Sequence, residues 1–285
     1  MNKVNATMHL INRNITKFQC PICHAAIAET TKTSIICENN HNFNISKKGS
    51  LFLLNYPVKT EYTTEMLNYR HQFLNAGFFD PMLAEVSRLM EGNFILDAGC
   101  GEGTTTKKLA ANGNSTLVGL DISKPAINIA TAGVLDNPAP LFMTGDLAKL
   151  PFQDNSIDTI VNILSPANYQ EFNRTLKSGG VLIKVIPGNH YLTELRHLVY
   201  PEGKHATYDN ASVKQNFMEH YDHVKFYPIR YEFNLNQELF TALFNMTPLT
   251  WQAQNKAQLL AKGLDKITAE FEIGVVKIRG CDKSP

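Results

Sequence analysis

Between residues 94 and 186, five short apolar runs alternate with stretches of helix length, and this alternation constrains the chain more than any other feature. The runs are 94–98, 116–121, 141–143, 157–163 and 181–186. The stretches between them are long enough for crossover helices, so the pattern predicts an α/β fold with a parallel, doubly wound, Rossmann-like sheet. Two longer segments, 224–235 and 267–278, are expected to finish that sheet with an antiparallel edge.

The first run leads directly into Gly99-Cys100-Gly101-Glu102-Gly103. Glycines there let the backbone turn sharply and approach a ligand that a β-carbon would exclude. The spacing is G-x-G-x-G rather than the G-x-G-x-x-G of a dinucleotide cradle. With Asp97 ahead of it, the loop suits a cofactor without phosphate. Asp121 ends the second run, about 20 residues past the loop, where a carboxylate can accept from both ribose hydroxyls. The third run ends at Gly145-Asp146, followed by Leu147 and Leu150-Pro151-Phe152. Asp146 is placed to accept from an adenine amino group, with Leu147 against the ring. Acids at successive strand tips beside a glycine loop point to a bound nucleoside.

The chain ahead of this body is different in kind. Cys20-Pro-Ile-Cys23 is followed, after thirteen residues, by Cys37-Glu-Asn-Asn-His41. Two close pairs across a hairpin-sized gap are how a chain encloses tetrahedral zinc, and four protein ligands leave no open position, which makes the metal structural. Thr33, Ile35 and Ile36 before Cys37, with Phe43 and Ile45 after His41, supply the strands of a zinc-ribbon-like module. Five cysteines are an odd count, which argues against a disulfide framework. Residues 1–60 carry seven basic and two acidic side chains, a net +5, against −4 for the remainder. Such a module suits an anionic partner.

These observations divide the chain into a zinc-binding module over 1–60, a helical connector over 61–93 and a body over 94–285. Helices are expected from about Thr63 to Gly77 and over 81–90, and a short strand over 51–54 that Pro57 ends. Trp251 and the phenylalanine-rich 217–244 stretch read as core. With 44% hydrophobic and 19% charged residues, disorder is excluded as the main state. No apolar run approaches the roughly 18 residues that span a bilayer. The first twenty residues lack a signal peptide's continuous apolar stretch, so a cytoplasmic location is expected.

The motifs L-D-A-G-C-G-E-G (96–103), V-G-L-D (118–121), G-D-L-A-K-L-P-F (145–152) and L-K-S-G-G (176–180) resemble those of class I S-adenosylmethionine-dependent methyltransferases. A closer resemblance covers nearly the whole chain. Cys20-Pro-Ile-Cys23 with Cys37 and His41, Lys48-Gly49, Leu53-Leu54, Phe73-Leu-Asn-Ala-Gly77, Ser165-Pro166, Pro187-Gly188 with Leu192, and Met246-Thr-Pro248 with Trp251 occur in order. That series resembles the RlmA family, the zinc-containing 23S ribosomal RNA (guanine-N1)-methyltransferases, whose Gram-positive branch includes a tylosin-resistance enzyme.

The resemblance implies that Cys20, Cys23, Cys37 and His41 hold zinc and that the module grips a hairpin in domain II of 23S RNA. It also implies S-adenosyl-L-methionine as cofactor. Gly99, Gly101, Glu102 and Gly103, with Asp97, would lie at its methionine moiety, Asp121 at the ribose, and Asp146 with Leu147 at the adenine. Two further contacts carry over with substitutions. Phe79 stands where the family pattern has Tyr, and Tyr191 stands in the register of a His. Residues 1–15 or so are an addition to the family pattern, either a basic extension or the product of a start upstream of Met8. A homodimer framing an RNA cleft is the implied assembly.

Guanine N1 lies on the pairing edge and carries a proton, so the base must be unpaired and the proton lost. Asn162 and Ser165, at the fourth strand tip, are either base contacts or turn residues. Arg13, Lys17, Lys32, Lys47 and Lys48 are expected to contact phosphate. The alternatives are a small-molecule methyltransferase, since L-P-F also occurs in quinone and sterol relatives, and a non-catalytic RNA-binding protein that kept the fold.

Overall fold

The computed structural model describes residues 2–58, 60–111, 113, 115–132, 140–202 and 206–278. Met1, Lys59 of the basic count and the fifth cysteine, Cys281, lie outside the described residues. The elements run α1 (Lys3–Arg13), β1 (Ile27–Thr30), β2 (Ser34–Cys37), β3 (Asn42–Asn44), β4 (Leu51–Phe52), α2 (Thr64–Asn75) and α3 (Asp80–Leu89). Then come β5 (Phe94–Ala98), α4 (Thr104–Ala111), β6 (Thr116–Asp121), α5 (Lys124–Ala130), β7 (Leu141–Thr144), β8 (Ile157–Ile163) and α6 (Tyr169–Thr175). The chain finishes with β9 (Leu176–Pro187), α7 (Thr193–Val199), α8 (Ala211–His220), β10 (Lys225–Asn234), α9 (Gln237–Met246), α10 (Lys256–Lys262) and β11 (Lys266–Lys277).

Among the described residues the large sheet has the order β10-β11-β9-β8-β5-β6-β7-β4. Strands β5 to β9 are mutually parallel. The reversed strand, β11, is antiparallel to both β9 and β10 and sits one place in from the edge. The chain winds outward from β5 through β6 and β7, then returns to β8 on the other side. The carboxyl ends of β5 and β8 therefore flank the topological switch point, where doubly wound sheets bind ligands.

The ribbon strands β1, β2 and β3 form a separate antiparallel sheet. The N-terminal module nevertheless does not stand apart. Strand β4, inside the 1–60 span of the sequence reading, pairs with β7, and Leu53 N continues the ladder to Thr144 O at 2.9 Å. Phe18 packs on Phe152 and Phe94 at centroid distances of 5.4 and 6.1 Å. Ile35 and Phe43 of the ribbon share one hydrophobic cluster with Phe94 and Leu141 of the body. Metal is thus not the ribbon's sole support.

Residues 3–13, to which the sequence reading assigned no element, are helical. Asn2 caps α1 by accepting from Asn5 N at 2.8 Å, and Arg13 stands in the last turn, favourable to the helix dipole. Met8 and Ile11 are buried on one face. Lys3 Nζ donates to Thr131 O and Thr7 Oγ1 to Gly49 O, both at 2.7 Å, which docks the helix on the body. Phe217, Phe240 and Phe244 are core, as expected, but Trp251 is only half-buried. It follows a one-turn helix at the end of α9 that carries it out of the core. No helix among the described residues is long and apolar enough to cross a membrane.

Candidate active site and metal centre

Strand β5 breaks into the glycine loop because Gly99 and Gly101 both adopt positive φ, +82° and +57°. At Gly99 a β-carbon would lie 1.9 Å from Ser165 Oγ, so the loop can pass the tip of β8 only without a side chain. At Gly101 the nearest atom to such a carbon is Arg70 Nε at 3.8 Å, which leaves the backbone open on that side. Asp121, at the tip of β6, fixes the loop. One carboxylate oxygen accepts from Gly101 N at 2.9 Å and the other from Ser123 N at 2.8 Å, the start of α5. Burial pushes its carboxyl pKa up, against these two amides.

Asp97 is buried and accepts from Thr106 Oγ1 at 2.6 Å and Thr105 Oγ1 at 3.2 Å, tying β5 to α4. Burial, with the Asp121 and Glu102 charges nearby, pushes it up to about 6. Glu102 is 1% exposed, and its Oε2 accepts from Arg70 Nε of α2 at 2.9 Å. Its other oxygen, Oε1, is buried with no hydrogen-bond partner among the described residues. Arg70 lies over the Phe79 ring, 5.9 Å from the centroid. Phe79 is itself buried and packs on Phe271 at 5.6 Å, as Tyr191 does at 5.1 Å. Burial raises the Tyr191 phenol to about 12, with the Arg70 charge opposing.

Asp146, at the tip of β7, accepts from Ala148 N at 2.9 Å and from the Tyr56 hydroxyl. That hydrogen bond raises the Tyr56 phenol to about 12. Leu147 beside it is half-buried. The three strand tips marked in the sequence thus stand side by side at the carboxyl edge of the sheet, joined there by Arg70 of the connector and by Tyr56 from the end of the 1–60 span.

Asn162 resolves to the turn-residue alternative. It is fully buried, its Nδ2 donates to Ala98 O at 2.7 Å and Pro166 O at 3.1 Å, and its Oδ1 accepts from Lys184 Nζ at 2.5 Å. Lys184 Nζ also donates to Ser165 O at 2.6 Å. Lys184, which carries no role in the sequence motifs, is a buried amine that makes no ion pair among the described residues, and burial lowers its pKa to about 8.

Cys20, Cys23, Cys37 and His41 lie with their donor atoms within 4.8 Å of one another. Cys23 Sγ and Cys37 Sγ are 3.8 Å apart, and His41 Nδ1 is 3.5 Å from Cys20 Sγ and 3.4 Å from Cys37 Sγ. A tetrahedral ion with Zn–S of about 2.3 Å separates two sulfurs by roughly 3.8 Å, so the donor set fits zinc in both chemistry and spacing. Amides of Ile22 and His41 and the Asn39 side chain donate to the sulfurs, which supports thiolates there. His24 is turned away, its Nδ1 3.0 Å from Gln19 Nε2.

Of the basic side chains expected at phosphate, Arg13, Lys32, Lys47 and Lys48 are exposed. Lys17 is half-buried. Its ammonium reaches Ser156 O at 3.3 Å and sits 4.8 Å over the Phe94 ring, held inward by packing.

Residues 18–61 match the family described as RlmA, N-terminal, and residues 95–180 the family described as methyltransferase domain. A Bacillus subtilis relative that bears the name of a 23S rRNA (guanine-N(1)-)-methyltransferase is 34% identical over 275 residues, 91% of this chain and 96% of its own. The chain belongs to that family. The 23S rRNA (guanine(748)-N(1))-methyltransferase of Streptomyces fradiae is 30% identical over 196 residues, 65% of this chain and 69% of its own. A Gibberella zeae sterol 24-C-methyltransferase is 30% identical too, but over only 111 residues, 35% of this chain. What the guanine-N1 family shares with this chain thus extends far beyond what the sterol enzyme shares. Membership makes the chain an S-adenosylmethionine-dependent methyltransferase with a zinc ribbon.

Proposed function

We propose that this enzyme methylates N1 of a guanine in a domain II hairpin loop of 23S ribosomal RNA. The observation that carries the reading is the union of two features in one body. A zinc ribbon with exposed Arg13, Lys32, Lys47 and Lys48 nearby is stitched through β4 to the sheet that presents Asp121 and Asp146. A cationic grip is suited to an RNA backbone.

The crevice fits S-adenosylmethionine on its own chemistry. Glu102 Oε1 is a buried acceptor without a donor, which the cofactor's ammonium would satisfy, and the open face of Gly101 admits the methionine backbone. In this reading Gly99, Gly101 and Gly103 hold the methionine moiety. Asp121 holds the ribose hydroxyls, and Asp146 with Leu147 holds the adenine. Asp97 braces the loop from beneath, while Phe79 and Tyr191 back Arg70 against Glu102. When bound, the cofactor supplies an electrophilic methyl group. The chain's own task would be to align the guanine with the bound cofactor and to exclude water. The Lys184–Asn162–Ser165 network keeps the β8 turn rigid beside the loop.

The family resemblance also supports a homodimer, which light scattering at working concentration checks, and a cytoplasmic site of action, where ribosomal RNA is assembled. The deciding test is methyl transfer from labelled S-adenosylmethionine to unmodified 23S RNA, followed by reverse transcription across domain II. A methyl on N1 blocks pairing, so a new strong stop in the loop is the expected result and also names the guanine. Incorporation without that stop overturns the position assigned.

A further inference from the structure

The exposed aromatic side chains of this protein are not scattered. Among all its Phe, Tyr and Trp residues, those in the exposed class are Phe52, Tyr56 and Tyr62, and all three fall on the segment that joins the zinc ribbon to α2. Their surroundings trace the mouth of the crevice. Phe52 lies on β4, beneath the Lys124 ammonium at 5.3 Å. Tyr56 meets Asp146, at one end of the crevice. Tyr62 stands just before the cap of α2, close enough to Arg70 for its phenol to act on the guanidinium, and Arg70 borders Gly101 at the other end.

Tyr62 is 46% exposed and meets Trp251 edge to face, with centroids 6.0 Å apart and planes at 71°. Trp251 is rigidly presented. Thr250 Oγ1 donates to Phe244 O at 2.5 Å, Trp251 N to Pro248 O at 3.1 Å, and Tyr200 OH to Leu249 O at 3.1 Å. The edge-to-face contact covers part of one ring, and the exposure of Tyr62 and half-exposure of Trp251 leave flat apolar surface of the pair open to solvent. Unpaired bases use such faces, because every base has a π-face and stacking needs no hydrogen-bond pattern.

We infer that Tyr62 and Trp251 form a stacking platform for an unpaired RNA base at the methionine end of the crevice, with Tyr56 and Phe52 continuing the strip toward the zinc ribbon. The inference rests on the RNA reading above and adds where the single-stranded part of the substrate lies. A loop nucleotide would leave the basic ribbon, pass along residues 52–62 and reach the cofactor edge. A protein partner would instead use the strip as an apolar patch and would not require the rings to stay aromatic.

The chain has one tryptophan, so its emission reports on this platform alone. The experiment titrates the full-length, zinc-loaded enzyme with a domain II hairpin transcript while following Trp251 fluorescence, with binding measured separately by anisotropy of labelled RNA. Quenching that saturates with binding is expected. Tyr62→Ala, at an exposed position, is expected to weaken RNA affinity by about fivefold to a hundredfold, the range for one lost stacking contact. Affinity for S-adenosylmethionine stays as in the parent, and Tyr62→Phe, which keeps the ring, recovers most of the loss. If the RNA binds and is methylated, yet Trp251 emission does not move and Tyr62→Ala binds RNA like the parent, the platform is overturned and the RNA reading stands. If the hairpin does not bind the parent enzyme at all, both fall together.

Discussion

Arg70 and Glu102, 32 residues apart, form a half-satisfied pair, in which Arg70 Nε holds one carboxylate oxygen of Glu102 at 2.9 Å and the other lies buried without a donor among the described residues. The pair closes the glycine loop from the side of α2. Removing the guanidinium leaves a carboxylate that is 1% exposed without its hydrogen-bonded cation, while the more distant Lys107 charge still acts on it. Arg70→Met is therefore expected to lower stability by about 3 kcal/mol, the scale for breaking a buried pair from one side. Arg70→Met combined with Glu102→Gln restores much of it. Urea unfolding of the two single variants and the double variant measures the coupling, and additive losses would refute it.

Asp121 gives both oxygens to backbone amides and faces the crevice from β6. Asp121→Ala is expected to weaken S-adenosylmethionine binding by roughly tenfold to a hundredfold, the range for charge-assisted hydrogen bonds. Calorimetric titration of the cofactor into the variant gives the number, and an unchanged Kd would remove Asp121 from the site.

Zinc is expected at one ion per chain in protein purified without chelator. His41→Ala should lose it. Because Ile35 and Phe43 share a core with Phe94 and Leu141, the damage is expected to reach the body. Thermal unfolding of the variant should shift as one transition to lower temperature. A body transition left where it was, with only a small early step, would show that the ribbon unfolds alone.

Lys184 makes stability depend on alkaline pH. Its folded pKa, about 8, lies below the ordinary lysine value of 10.5, so the unfolded chain binds the proton more readily. Stability contributed by this site therefore rises as pH increases from about 8 to 10.5, and the burial penalty is fully present below that window. Replacing the amine with Lys184→Met should flatten this rise relative to the parent, measured as denaturant midpoints across that pH range. Parallel curves would show that Lys184 is solvated.

The strands of the body were legible to within a few residues because strands buried on both faces read as continuous apolar runs. The run over 181–186 is the partial exception, since β9 begins earlier, at Leu176, where the L-K-S-G-G turn reads as a loop. The zinc ligands were legible because paired spacing is a local signal. What escaped was set by tertiary contact. Helix α1 escaped because Asn and Thr are weak helix formers between its apolar positions, and docking on Gly49 and Thr131 makes up the difference. Arg70 looks like any polar residue on an amphipathic helix until the fold brings Glu102 beside it. Lys184 did carry a signal, as the one charge inside the 181–186 run. Trp251 reads as core by composition, and only the turn at Pro248–Thr250 reveals otherwise.

Strand β4 is two residues long, yet it makes the ribbon and the sheet one rigid caliper. The chain leaves the metal-bound loops, passes through β3 and within a few residues enters the sheet beside β7, the strand whose tip holds Asp146. The jaws cannot slide relative to each other without breaking that ladder. An enzyme built this way can pick its guanine by reach, as the nucleotide that falls a set distance from where the ribbon grips, and does not need to read the neighbouring bases. Lengthening the link between Ser46 and Leu51 would then move the mark along the RNA before it abolished the marking.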